Sequence, residues 1–258
     1  MNGSSARLAA QLLAAYSRQQ AIALLLDAPY LDPPALSDAL RAPIPANGGG
    51  EPAPAPYSGW CIRLLMALTG PHDAEVPFDL YGEIGAAYRT RHRPELALTF
   101  YQHALQNASA PAEKASVLNS LGCLELQEGN LKSAEDFFLR AQQMYQNNGL
   151  AGTRLAKVLL NRASIANLTQ RTQDALSFLE QVLQLVPQDP DLAGKAKIMQ
   201  ASLAFDSGDP ARARELLADV SLPDLGREDA ELFHCLRERL QEGAPDAQGG
   251  RRTGPFTC

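Results

Sequence analysis

The sequence predicts an all-α protein, a right-handed α-solenoid of helix-turn-helix repeats with a C-terminal closing helix. Three observations predict it. The same small and large apolar residues recur at fixed offsets in four successive units. Turn-forming residues stand between the apolar stretches that pair within a unit. After the fourth unit, residues 227 to 241 carry an apolar stripe of Leu232, Phe233, Leu236 and Leu240, which suits a helix that covers the last open face.

The first unit begins at Phe78. Its small slot is Gly85, followed by Ala97, Tyr101 and Ala104. The second unit has Gly122, Ala134, Phe138 and Ala141; the third has Ala163, Ala175, Leu179 and Val182; the fourth has Ala201, Ala213, Leu217 and Val220. Successive small slots are 37, 41 and 38 residues apart. These residues and offsets resemble the tetratricopeptide repeat, in which a small residue marks the touching point of two paired helices. Close packing is the physical reason for the pattern. A Gly or Ala in the first (A) helix lets the second (B) helix approach, the following Ala keeps the crossing tight, and Tyr101 or Phe138 fills the space one turn later. The intervals exceed the roughly 34 residues usual for this repeat. Longer helices, or longer turns at Asn147-Asn148-Gly149 and Asp189-Pro190, absorb the excess. Glu128-Gly129-Asn130 and Ser207-Gly208-Asp209-Pro210 are the expected turns between A and B helices, with Pro94 and Pro210 near the first helical position.

Upstream, residues 1 to 41 form an N-terminal helical segment. The first 26 residues hold Arg7 and Arg18 but no acid, together with an apolar face of Leu8, Leu12, Leu13 and Tyr16. That composition has some likeness to a mitochondrial presequence, but an amphipathic helix packed on the rest is the expectation. Asp32 is placed to cap a short helix opening with Pro33 and Pro34. Residues 42 to 59 hold five Pro and four Gly in 18 positions and read as a linker. Trp60 then opens an apolar stretch to Leu68 and is expected to anchor packing. Residues 60 to 241 are expected to form the repeat domain and 242 to 258 a flexible tail.

Composition narrows the function. A formal net charge of −6 gives no electrostatic case for nucleic acid or an anionic membrane surface, and no apolar run has the roughly 18 to 20 residues that span a bilayer. The four cysteines are scattered with no Cys-x-x-Cys pair, so a reducing, cytoplasmic setting is expected. His72, His92, His103 and His234 show no metal-ligand spacing. His234 and Cys235 are adjacent and would point about 100° apart on a helix, which excludes a hydrogen-bonded nucleophile and base. No Gly-rich phosphate loop or Gly-x-Ser-x-Gly elbow occurs. No catalytic residue, metal or cofactor is expected.

The likeness to the tetratricopeptide repeat implies that A helices line a concave face. Carrying its groove positions onto this chain gives Asp79, Glu83 and Arg89 in the first unit and Asn119, Ser120, Cys123 and Gln127 in the second. The third and fourth add Lys157, Asn161, Ser164, Asn167, Lys195, Met199 and Ser202. The core of this expectation is Asn119, Cys123, Lys157, Asn161, Ser164, Lys195 and Ser202, a polar wall whose amides could bond a peptide backbone. The two-carboxylate clamp that some members use on chaperone tails is not reproduced. Asn161 and Lys195 match it, but Asn119, Cys123 and Met199 stand where its other Lys, Asn and Arg belong.

A further likeness rests on Leu126-Gln127-Glu128-Gly129-Asn130-Leu131-Lys132-Ser133-Ala134-Glu135, Phe138, Gly149-Leu150-Ala151-Gly152, Asn161-Arg162-Ala163 and Ala175. These residues resemble the tetratricopeptide subunit of the TRAPP vesicle-tethering complexes. The resemblance implies a subunit of a hetero-oligomeric tether, brought to the Golgi or the ER–Golgi boundary through its complex. The expected function is therefore a non-enzymatic scaffold for protein–protein contacts, the alternative being a peptide-binding adaptor or co-chaperone that uses the groove.

Overall fold

A computed structural model describes residues 3–15, 17–28, 32–41, 58–69, 76–221 and 225–242. The described residues form thirteen helices and no strand, in agreement with the all-α expectation. The chain divides into two compact units, 1–109 and 110–258, a boundary that falls inside the 60–241 span read as one repeat domain. Residues 42–57 of the expected linker, His72, and the tail beyond Glu242 lie outside the described residues.

The first unit contains α1 (Gly3–Leu13), α2 (Arg18–Leu26), α3 (Pro33–Arg41), α4 (Ser58–Thr69), α5 (Phe78–Thr90) and α6 (Pro94–Asn107). Asp32 caps α3 by accepting the Ala35 N–H at 3.2 Å. The N-terminal helices are packed into this unit: α3 lies against α1 and α4, and α2 against α5. Leu12, Ile22, Leu36, Leu40 and Leu64 are buried among them. Arg18 reaches Asp79 at 3.4 Å and Glu83 at 3.1 Å and lies over the Trp60 ring at 5.5 Å. Both Asp27 carboxylate oxygens accept from Arg91 at 3.1 Å.

The second unit contains α7 (Pro111–Gln127), α8 (Leu131–Asn147), α9 (Thr153–Leu168), α10 (Thr172–Leu185), α11 (Pro190–Asp206), α12 (Pro210–Ala218) and α13 (Arg227–Glu242). Helices pair as α7 with α8, α9 with α10 and α11 with α12, just as α5 pairs with α6 in the first unit. The closing helix α13 packs on α11 and α12. It buries Phe233, Leu236 and Leu240 against Ile198, Ala201, Phe205 and Leu217.

All four pairs turn in the same way, seven residues past the small slot. His92, Gly129, Gln170 and Gly208 adopt left-handed φ angles of 54°, 79°, 61° and 83°. The next residue's N–H then bonds the carbonyl five positions back, as Arg93 does to Tyr88 and Asn130 to Glu125. This is the Schellman termination, which satisfies carbonyls that an ending helix would leave without partners. Gly129 and Gly208 take the conformation freely, whereas His92 and Gln170 hold it against side-chain crowding.

The contact inside each pair explains why the small slot differs between repeats. A Cβ added at Gly85 would lie 2.7 Å from the Tyr101 ring, and one at Gly122 would lie 2.5 Å from the Phe138 ring. Where the slot holds Ala163 or Ala201, the facing position shrinks to Leu179 or Leu217. Glycine is thus matched with an aromatic ring and alanine with leucine, which conserves volume at the crossing. Gly122→Ala should cost about 1 to 3 kcal/mol by overpacking. Adding Phe138→Leu should recover part of that loss, with a favourable coupling in a double-mutant cycle followed by urea denaturation. Strict additivity of the two changes would show that the residues do not share one contact.

Candidate partner-binding site

Within the second unit the A helices α7, α9 and α11 lie side by side, α7 against α9 and α9 against α11, so their outward residues share one face. The structure brings three of the expected residues together there. Asn161 of α9 donates through Nδ2 to Asn119 Oδ1 of α7 at 3.0 Å and to Cys123 Sγ at 3.5 Å. Asn119 Nδ2 lies 4.0 Å from the same sulfur. Asn161 is 8% exposed and Cys123 5%, while Asn119 is half-buried. The three therefore form a polar seam between adjacent repeats, with Asn119 its most accessible member. A buried amide without partners would be costly, and the Asn–Asn bond removes much of that cost.

The remaining expected residues separate. Lys157 is exposed. Ser202 is half-buried. Ser164 is 2% exposed and donates to the Leu160 carbonyl of its own helix at 3.1 Å, so its hydroxyl is engaged inside the helix. Lys195 is ion-paired with Asp191 at 3.2 Å and with Asp229 of α13 at 3.3 Å. Burial pulls the Lys195 ammonium pKa down, but Asp229 and Asp191 together outweigh it and hold the value above that of an ordinary lysine. Its positive charge is largely balanced within the fold. Of the wider set, Ser120, Gln127 and Asn167 are half-buried and Met199 is buried. In the first unit, Arg18 of α2 takes up Asp79 and Glu83.

Asp229 and Arg18 were not signalled by the repeat pattern. Both lie outside the four units in sequence, and the pairings depend on how α13 and α2 are packed.

Behind the face, charged residues join one repeat to the next. Arg171, at the turn into α10, pairs with Glu135 of α8 at 2.8 Å. Arg162 bonds Gln142 of α8 and stacks on the Phe178 ring of α10 at 4.3 Å. Desolvation lowers the Arg162 pKa, and Glu135 partly offsets that effect. No group of His, Cys, Asp or Glu able to hold a metal occurs among the described residues, and no described helix is long and apolar enough to cross a membrane.

Paired helices, a shared A-helix face in the second unit and Schellman-closed turns define an all-α fold of helix-turn-helix repeats, similar to tetratricopeptide repeats. Residues 78–147, which span α5 to α8, match the family model of the tetratricopeptide repeat. Two solved structures have the same fold. BtubC (BKLC) from P. vanneervenii is 16% identical with a TM-score of 0.51, the match covering 96% of this chain and 93% of that one. Rap protein complexed with competence and sporulation factor is 15% identical with a TM-score of 0.52, covering 90% of this chain and 65% of that one. No curated protein matches the chain.

Proposed function

We propose that this protein is a non-enzymatic scaffold for protein–protein interaction, and that the A-helix face of its second unit receives an extended segment of a partner. The observation that carries this reading is the Asn161–Asn119 hydrogen bond, in which buried Asn161 of one repeat fixes the half-buried Asn119 amide of the preceding repeat on that face. Amides carry both donors and acceptors and match the groups of a peptide backbone. Exposed Lys157 adds one cation beside them. The neighbouring fold of Rap protein, solved with competence and sporulation factor, supports partner capture by a chain of this architecture.

The finer reading is a subunit of a TRAPP-like vesicle-tethering complex, acting in the cytoplasm at the early secretory pathway. It is supported by the Leu126–Glu135 stretch and by the Gly149-Leu150-Ala151-Gly152 joint. Both glycines of that joint take left-handed φ angles, 65° and 96°, where α8 passes into α9.

The test leaves Asn161 and Lys195 in place, because Asn161 is buried and Lys195 is ion-paired to Asp191 and Asp229. An Asn119→Ala/Lys157→Ala variant should keep its helical circular dichroism with a stability loss of about 1 to 3 kcal/mol, because the buried Asn161 amide gives up its Asn119 acceptor while exposed Lys157 contributes little. It should also lose the proteins that the wild type retains in a pull-down read by mass spectrometry. Retention of the same proteins at full yield would remove the A-helix face from consideration.

A further inference from the structure

The fourth repeat ends early. Its B helix, α12, has 9 residues, against 14 in α6, 17 in α8 and 14 in α10. Val220 occupies the repeat position that Ala104, Ala141 and Val182 hold inside a helix, yet it lies beyond the end of α12. Beside the last turns of α12 and the residues that follow it, a cavity of about 570 Å³ opens between α12 and α13. That volume is within the roughly 300 to 1,000 Å³ of ordinary ligand sites.

The lining has a definite chemistry. Half-buried Val220 and the edges of the core residues Leu217, Phe233 and Leu240 make an apolar bed, and among the described lining residues the charged ones are Arg214 and Arg237, with no acid. The chain as a whole carries a net charge of −6, so two cations over an apolar bed form a local reversal of sign. Arg214 gives one of its five N–H donors to the Leu240 carbonyl at 2.9 Å, which supports the end of α13. Arg237 is exposed and lies over the Phe233 ring at 5.7 Å. Ser221 and Gln241 add a hydroxyl and an amide, whose donors suit the carboxylates of acidic side chains.

We propose that this cavity is a docking site for a short amphipathic helical peptide with acidic residues flanking its apolar face, which takes the place of the turns that α12 lacks. Leucine or phenylalanine at helical spacing fills the bed, and the flanking carboxylates meet Arg237 and the free donors of Arg214. The site is separate from the A-helix face and does not depend on the function assigned to it.

The test uses the full chain and a capped, fluorescently labelled peptide with leucine and phenylalanine at helical spacing, flanked by Asp and Glu. Fluorescence anisotropy should detect binding that weakens as salt is added. Arg237→Glu, an exposed change, and Ala218→Trp, which fills the cavity mouth from an exposed position, should each weaken it by about tenfold or more. The Asn119→Ala/Lys157→Ala variant should bind the peptide as the wild type does. Circular dichroism confirms that each variant is folded. The proposal is overturned by absence of binding, by equal affinity for a peptide with Lys in place of the acids, by indifference to both cavity variants, or by displacement of the peptide with decanoate.

Discussion

Phe138→Ala is expected to destabilise the second unit by about 3 to 5 kcal/mol, the range for removing a fully buried aromatic ring. The ring is 0% exposed and fills the crossing of α7 and α8, against the bare Cα of Gly122. With glycine opposite, no side chain is available to move into the space, so the cavity term is felt in full. In a domain of this size such a loss lowers the unfolding temperature by roughly ten degrees. Thermal unfolding followed at 222 nm measures it. A loss below about 1 kcal/mol would mean that the crossing relaxes around the deletion and that the ring is not its keystone.

Ala134→Trp is expected to be at least as damaging, whereas its neighbour Glu135→Ala should have a small effect. Ala134 is 0% exposed at the tight crossing in α8, and an indole there forces the helices apart at a cost beyond the usual 1 to 3 kcal/mol of overpacking. Glu135 is not simply a solvated charge, because it pairs with Arg171 at 2.8 Å. Both partners are about a third exposed, and an ion pair of that kind contributes about 1 kcal/mol or less. Chemical denaturation of the two variants should therefore give clearly separated midpoints. Equal midpoints would place the repeat register one residue out.

The four repeats were legible because close packing writes itself locally. A helix crossing needs a small residue at one point and a matched bulk sixteen residues later, and both conditions are met within one unit of chain. The family match covers α5 to α8, where the slots are Gly85 and Gly122. The pairs α9 with α10 and α11 with α12 keep the same geometry with Ala163 and Ala201. The conservative exchange of glycine plus ring for alanine plus leucine hides them from a fixed motif but not from a count of offsets. The positive φ of His92 and Gln170 was less visible, since neither residue type advertises a left-handed turn as glycine does.

The candidate site was legible in outline and not in detail. The groove positions implied by the tetratricopeptide likeness put Asn119, Cys123, Lys157, Asn161, Ser164 and Lys195 on A helices, and all six lie on α7, α9 and α11. Periodicity specifies which residues share a helix face to within about a turn, which is too coarse to separate exposed Lys157 from buried Ser164. It carries no information on partners from distant helices. Lys195 pairs with Asp191 one turn back on its own helix and also with Asp229, from a helix that follows the last repeat and that no local spacing points to.

By itself, then, the sequence determined the all-helical class, the four crossings, the glycine-marked turns at Gly129 and Gly208 and the closing helix, because each depends on residues close in the chain and on steric rules of short range. The tertiary structure decided three further matters. It placed α2 across Asp79 and Glu83, bound the amides of Asn119 and Asn161 into one seam, and left a cavity where α12 stops short of α13. Each of these depends on the rotation and spacing of helices brought together from separate parts of the chain, and such long-range geometry is the sum of many packing contacts that no local pattern encodes.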